Sequence, residues 1–153
     1  MKRLILAITL VLIAGSAFGQ PLYSAKFVCG QTTPANIATW NAAPGRYYTA
    51  INVHNPNSVV VTIRKRFSVG QPNEVPGALS AWFSMNLPPS RTMQIDCRNI
   101  WGHIPAPLGS FQEGFVEIRS TAELDVVGVY TVAPLGPAVT SIVSMHMERV
   151  PKR

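Results

Sequence analysis

The sequence predicts an all-β fold, an antiparallel β-sandwich of seven or eight strands, with a partly closed β-barrel as the alternative. Three observations carry this reading. The 153-residue chain holds 13 Pro and 11 Gly, which cut it into short apolar runs. It is 47% hydrophobic but only 13% charged, whereas soluble domains usually carry about 25% charged residues. Two segments, Tyr47 to His54 and Leu124 to Val132, alternate with the period of a strand, and no segment shows the 3.6-residue period of a helix. The length suits one domain.

The elements follow in order. Lys2 and Arg3 precede an apolar stretch from Leu4 to Phe18, and Ala17-Phe18-Gly19 has small residues flanking a larger one, the pattern of an export signal. As a helix this stretch would reach roughly 22 Å against a hydrocarbon core of about 30 Å, which is short for a permanent span. An uncleaved anchor and a lipid-modified terminus are the competing readings, and lipidation would want a cysteine where Ser16 stands. Residues 1–19 are therefore expected to be a signal peptide and residues 20–153 a single sandwich domain, exported to the periplasm or beyond the cell. Taking Lys2 and Arg3 from the 13 basic residues leaves 11 against 7 acidic, a formal charge of +4 instead of +6. That charge is dispersed, apart from Arg64-Lys65-Arg66 and the tail, and few aromatics lie among it in sequence. Nucleic acid is accordingly not expected as a partner.

Lys26 to Cys29 reads as a short first strand, and Gln31 to Gly45 as a loop with Trp40 fixing it. In the next strand Tyr47, Thr49, Ile51 and Val53 share one face. Asn55-Pro56-Asn57-Ser58 is a turn by its chemistry, and Val59 to Ser68 is rich in β-branched residues, so a hairpin is predicted here. Val59, Val61, Ile63, Lys65 and Phe67 form its core face, with the Lys65 stem snorkelling. Val69 to Gly77 is predicted loop, Ala81 to Leu87 and Thr92 to Cys97 strands. Residues 98–110 hold Pro105, Pro107 and Gly109 and are read as neither helix nor central strand. Phe111 to Arg119, Leu124 to Val132 and Val139 to Val150 complete the chain as a three-stranded meander. Its middle strand is apolar on both faces, as an interior strand would be.

The order Tyr-Thr-Ala-Ile-Asn-Val-His-Asn-Pro-Asn, a β-branched strand, a Pro-Pro turn into Ile-Asp-Cys, then Gly-Phe-Val-Glu-Ile-Arg-Ser-Thr-Ala-Glu-Leu-Asp-Val-Val-Gly-Val-Tyr-Thr, resembles uncharacterised exported bacterial β-sandwich proteins. Over about residues 46–149 it is also distantly similar to the soluble transducers of sensory rhodopsins, sandwiches that form oligomers. The resemblance implies the fold and transfers no functional residue. The export signal and the cysteine pair depart from the cytosolic transducers, so signalling is not implied.

Cys29 and Cys97 are the two cysteines, and in an exported chain they read as one disulfide, two buried thiols being the other possibility. Closing a loop of roughly 70 residues would stabilise the fold by about 4 kcal/mol. His54, His103 and His146 lie in distant segments without metal-ligand spacing. The carboxylate pairs Glu113 with Glu117 and Glu123 with Asp125 fit hydrated strand and turn positions better than acid–base work. No nucleophile elbow or phosphate loop is present. The chain is therefore expected to be a non-enzyme without metal or cofactor. Two function classes survive. Val60, Val127, Val129 and Val143 are β-branched and predicted outward, so the favoured expectation is a structural or protein-interaction module that self-associates through sheet faces as a homo-oligomer or covers an envelope partner. The alternative is a carbohydrate-binding module using loop aromatics, with Trp101 beside Arg98 and His103 as first candidate and Tyr47 and Tyr48 next. Trp40 and Trp82 are read, like Trp101, as residues in or near loops.

Overall fold

Tyr23, Ala25, Phe27 and Cys29 alternate with Ser24, Lys26 and Val28, and the first set is buried while the second is half-buried. This alternation makes an 11-residue strand, β1 (Leu22–Thr32), longer than the expected Lys26 to Cys29. The small Ala25 and polar Ser24 hide its first half from a hydrophobicity count. The computed structural model describes residues 20–36, 39, 42–136 and 144–153. The strands after β1 are β2 (Gly45–His54), β3 (Val61–Gly70), β4 (Pro76–Leu79), β5 (Phe83–Leu87), β6 (Thr92–Asp96), β7 (Gln112–Ser120), β8 (Asp125–Ala133) and β9 (Ser144–Arg149). A single turn of 3-10 helix covers Pro34–Asn36, and a short helix, α1 (Cys97–Trp101), follows β6. The predicted signal peptide, Trp40 and Val139 to Val143 fall outside the described residues.

Among the described residues nine strands replace the expected seven or eight because Pro76–Leu79, read as loop, pairs at the end of β3. Its proline opens the strand, where the missing N–H costs no ladder bond. All pairs between named strands are antiparallel. One layer is β3–β7–β1 with β4 and β5 along the far side of β3; the other is β2–β8–β9 with β6 beside β2. The path from β4 to β9 does not close, which removes the barrel alternative. β1 belongs to both layers: Leu22 to Cys29 pairs with β7, and Gly30 to Thr32 pairs with β2. The change of partner falls at Gly30, whose φ of 100° suits glycine and whose absent Cβ would sit 2.2 Å from the Ser110 carbonyl oxygen.

Two expected connections are corrected. β2 and β3 do not form a hairpin; they lie in opposite layers, and residues 55–60 arch between them. The reason is Asn55, fully buried at the start of the arch. Its Nδ2 lies 2.9–3.1 Å from the carbonyls of Val59, Leu87 and Pro88, and its Oδ1 accepts from the Asn57 backbone N–H at 2.9 Å. A two-residue hairpin would leave that amide unsatisfied, whereas the arch completes its bonds. Likewise β7, β8 and β9 are not a meander. β8 and β9 form a hairpin, but β7 pairs with β1 and β3 in the other layer. The middle strand does prove interior, lying between β2 and β9.

The layers close on Ile51, Val53, Val61, Ile63, Phe67, Ile95, Val116, Ile118 and Val126, all essentially without exposure. Burial of each stabilises the fold by about 1.5–3 kcal/mol relative to solvent. Lys65 shares this face as expected, half-buried, with its ammonium 5.9 Å from the Phe67 ring, whereas Val59, expected on it too, precedes β3 on the arch and is exposed. Burial lowers its pKa from the ordinary lysine value, against a smaller opposing pull from Asp96. Side chains from the second layer satisfy the edge of β1 that β7 leaves open. Thr49 Oγ1 accepts from the Val28 N–H and donates to its carbonyl, both at 2.9 Å, and Tyr130 Oη lies 3.1 Å from the Lys26 carbonyl. Cys29 and Cys97 are joined as the expected disulfide, linking β1 to α1.

Candidate functional site

Asp96 ends β6 and caps α1. Its carboxylate accepts from the Asn99 N–H at 2.9 Å while Asn99 Oδ1 accepts from the Asp96 N–H at 3.1 Å, a reciprocal capping box. The helix buries Cys97 and Ile100 and stops at Gly102, ahead of the prolines that led residues 98–110 to be read as helix-free. This turn presents Arg98 and Trp101 to the outer side of the second layer. There they meet Tyr48 and Ala50 of β2 and Val129 and Thr131 of β8 around a groove of about 530 Å³. Leu108 and Gly109 form its far wall. The Trp101 indole N–H donates to the Ser110 carbonyl at 3.1 Å, so the ring is held in place and half-buried.

The groove opens onto a wider apolar strip. Met145 and Met147 are the cross-strand partners of Thr131 and Val129 and therefore share their face. Tyr48, Leu108, Met145 and Met147 are 51%, 76%, 60% and 62% exposed, which sets them apart from ordinary half-buried strand residues. Val127 and Val129 lie between them, half-buried. Charge enters near the rim, through Asp96, Arg98 and Arg46 at the groove and the Arg149–Asp125 ion pair at 3.0 Å farther along the strands.

The sequence-predicted residues thus divide. Tyr48, Arg98, Trp101 and Val129 come together, and Val127 adjoins them on β8. Tyr47 points to the inner side of β2, edge-on to Phe111 at 5.5 Å, and lines a separate cavity of about 360 Å³ with Lys26, Tyr130, His146 and Glu148. His103 turns its ring away from the groove, against Phe83 at 4.1 Å and Phe67 at 5.4 Å. Val60 is exposed on the arch, remote in register from Val127 and Val129, and Val143 is outside the described residues. Leu108, Met145 and Met147 were missed. The methionines alternate with His146 and Glu148, a period-two signal in the sequence, whereas nothing local marks Leu108.

The histidines and the remaining carboxylates are engaged away from this groove. His54 shares a hydrogen bond with Thr92 Oγ1 at 3.1 Å. His146 stacks on Tyr130 at 6.1 Å. Tyr130 Oη also bonds Glu148 at 2.7 Å, and burial, with that carboxylate beside it, pushes the phenol well above the ordinary tyrosine value. Glu113 pairs with Lys26, Glu117 with Arg66 and Glu123 with Lys152. Among the described residues no three His, Cys, Asp or Glu side chains gather as a metal set, and no helix is long and apolar enough to cross a membrane.

No family model matches the chain, and no curated protein matches it in sequence. A solved structure does match in shape: the crystal structure of Thermotoga maritima 1070, with a TM-score of 0.50 at 7% identity, covering 88% of this chain and 95% of that one. At that identity the likeness concerns the fold alone, an all-β architecture shared over nearly the whole length of both chains.

Proposed function

We propose that the protein is an exported, non-catalytic interaction module that pairs with a second copy of itself through the outer face of the second layer. The observation that carries this reading is the strip of Tyr48, Leu108, Met145 and Met147, exposed around Val127 and Val129. A contiguous apolar strip on a charge-poor sheet face is the kind of surface that soluble domains cover by association. A two-fold interface requires a patch that complements itself, and this one carries acidic and basic groups, Asp96 and Arg98, on the same rim. The Cys29–Cys97 disulfide and the leader-like residues 1–19 support an oxidising compartment.

Sedimentation velocity of the protein is expected to show a discrete oligomer that Val129→Glu reduces to the monomer with an unchanged far-ultraviolet spectrum. Unfolding of that variant, or a monomeric wild type over a wide concentration range, would overturn the reading. The convergence of Tyr48, Arg98 and Trp101 on one groove favours carbohydrate binding as the second reading. A monomer whose glycan binding is abolished by Trp101→Ala would establish it instead.

A further inference from the structure

The outer face of the first layer carries a different constellation. β3 and β7 run in register so that Arg66 lies opposite Glu117 and Arg64 opposite Arg119. The first pair is satisfied: Arg66 Nη2 is 2.7 Å and Nε 2.9 Å from Glu117 Oε2. The second sets two like charges on directly opposed residues, an arrangement that destabilises an antiparallel pair. Among the described residues no carboxylate pairs with Arg64 or Arg119. Trp82, just ahead of β5, offsets part of the repulsion. Its ring centroid lies 5.4 Å from Arg64 Cζ, 4.9 Å from Arg119 Cζ and 4.5 Å from Arg66 Cζ. Stacking of this kind uses the face of a guanidinium and leaves its in-plane N–H groups available to an acceptor.

We propose that Arg64 and Arg119, positioned by Trp82, form an oxyanion site for a phosphate or sulfate group. A tetrahedral oxyanion offers enough acceptor atoms to bond both forks at once, and it would neutralise the unpaired charge that the register forces together. Arg66 is the positioning neighbour, already committed to Glu117. The ring contacts hold both guanidiniums before a ligand arrives, so less side-chain entropy is lost on binding than for two free surface arginines. The chemistry is the same for a free phosphate and for the phosphate of an anionic lipid headgroup.

Titration of the isotope-labelled protein with inorganic phosphate, at ionic strength held constant with chloride, reads this directly from the arginine Nε–Hε resonances. Saturable shifts are expected at Arg64 and Arg119 and not at Arg149, with binding weakened about tenfold or more in Arg64→Gln/Arg119→Gln. A parallel arm sediments the protein with vesicles of phosphatidylglycerol or of phosphatidylcholine. Capture by the former alone, lost in the double variant, assigns the phosphate to a lipid headgroup; a response to inorganic phosphate without capture assigns it to a free anion. Failure of both arms to exceed the chloride and phosphatidylcholine controls would overturn the proposal, as would a response that the double variant retains. Should that variant misfold, Arg64→Lys/Arg119→Lys keeps the charges and removes the forks. An undiminished phosphate affinity in it would be equally fatal.

Discussion

Around Trp82, the solvent side of the first layer presents Arg64, Arg66, Glu117 and Arg119, while the corresponding side of the second layer presents Val127, Val129, Met145 and Met147. The inner faces of the two layers are alike in being apolar, with Phe27, Ile63, Phe67 and Val116 buried on the first and Ile51, Val53, Ile95 and Val126 on the second. Packing dictates the inner composition, since a fully buried charge there would be unpaired; Lys65, which does share the face, stays only half-buried. Nothing in the fold dictates the outer one. A sandwich needs only that its outward positions tolerate water, so a charged outer face beside an apolar one reflects what each meets outside the domain.

The largest test of that contrast is to cut the link between the layers. Cys29→Ser or Cys97→Ser is expected to lower stability by about 2–5 kcal/mol, read as a fall in the urea midpoint. If the layers are one cooperative unit, the Trp82 environment and the far-ultraviolet signal will still lose structure together; separate transitions would mean that each layer holds its own face independently. A second test places the same charge on each face. Met147→Glu is expected to shift the sedimenting species toward monomer, whereas Ser68→Glu on β3 leaves the mass unchanged; loss of the oligomer in both would deny that association belongs to the second layer.

Inner-face alternation was readable from the residues themselves: Thr49, Ile51 and Val53, or Val61, Ile63 and Phe67, are buried as their spacing implies. Partner choice was not. The turn chemistry at Asn55-Pro56-Asn57 marks a change of direction, but only the distant carbonyls of Leu87 and Pro88 make it an arch between layers. The same limit applies to the candidate sites. Trp101 and Arg98 are near in sequence and stay near, yet the ring of His103, two residues on, turns away from the groove to Phe67 and Phe83 of the first layer. Asp96 and Asn99, three residues apart, were the overlooked sign of that helix. Trp82 and its arginines come from three strand regions and meet only through register.

Alkaline titration separates the layers by sign. Lys65 has a folded pKa below its unfolded value of 10.5, so the folded state binds its proton less readily and its penalty fades as pH rises toward 10.5. Tyr130 is shifted the other way, above 10.0, so its contribution is complete below that value and is lost as pH climbs past it. Lys65→Met is therefore expected to raise the melting temperature most near neutrality, with the gain shrinking toward the lysine range, while Tyr130→Phe flattens the decline above about pH 10. Parallel pH profiles for wild type and either variant would remove that residue from the account. The smallest effect concerns the opposed arginines. Arg119→Glu turns a repulsive cross-strand pair with Arg64 into an attractive one and is expected to stabilise the protein by about 0.2–1 kcal/mol at low salt, a gain that added salt should erode. Destabilisation would show that the Arg119 contact with Trp82 outweighs the repulsion.

The shared membership of β1 also sets an order in time. Leu22 to Cys29 finds its ladder partner only in Gln112 to Arg119, so most of the first strand made has no neighbour until the last third of the chain exists. Its last residues, Gly30 to Thr32, can pair at once with Gly45 to Tyr47. Such distant pairing slows folding and leaves an unpaired edge at risk of joining another chain. Cys97 is made before β7, and its bond to Cys29 would hold the waiting strand beside β6 and α1, shortening the search that β7 must complete. A covalent link that stabilises the finished sandwich would then also chaperone its first strand through the interval when nothing else can.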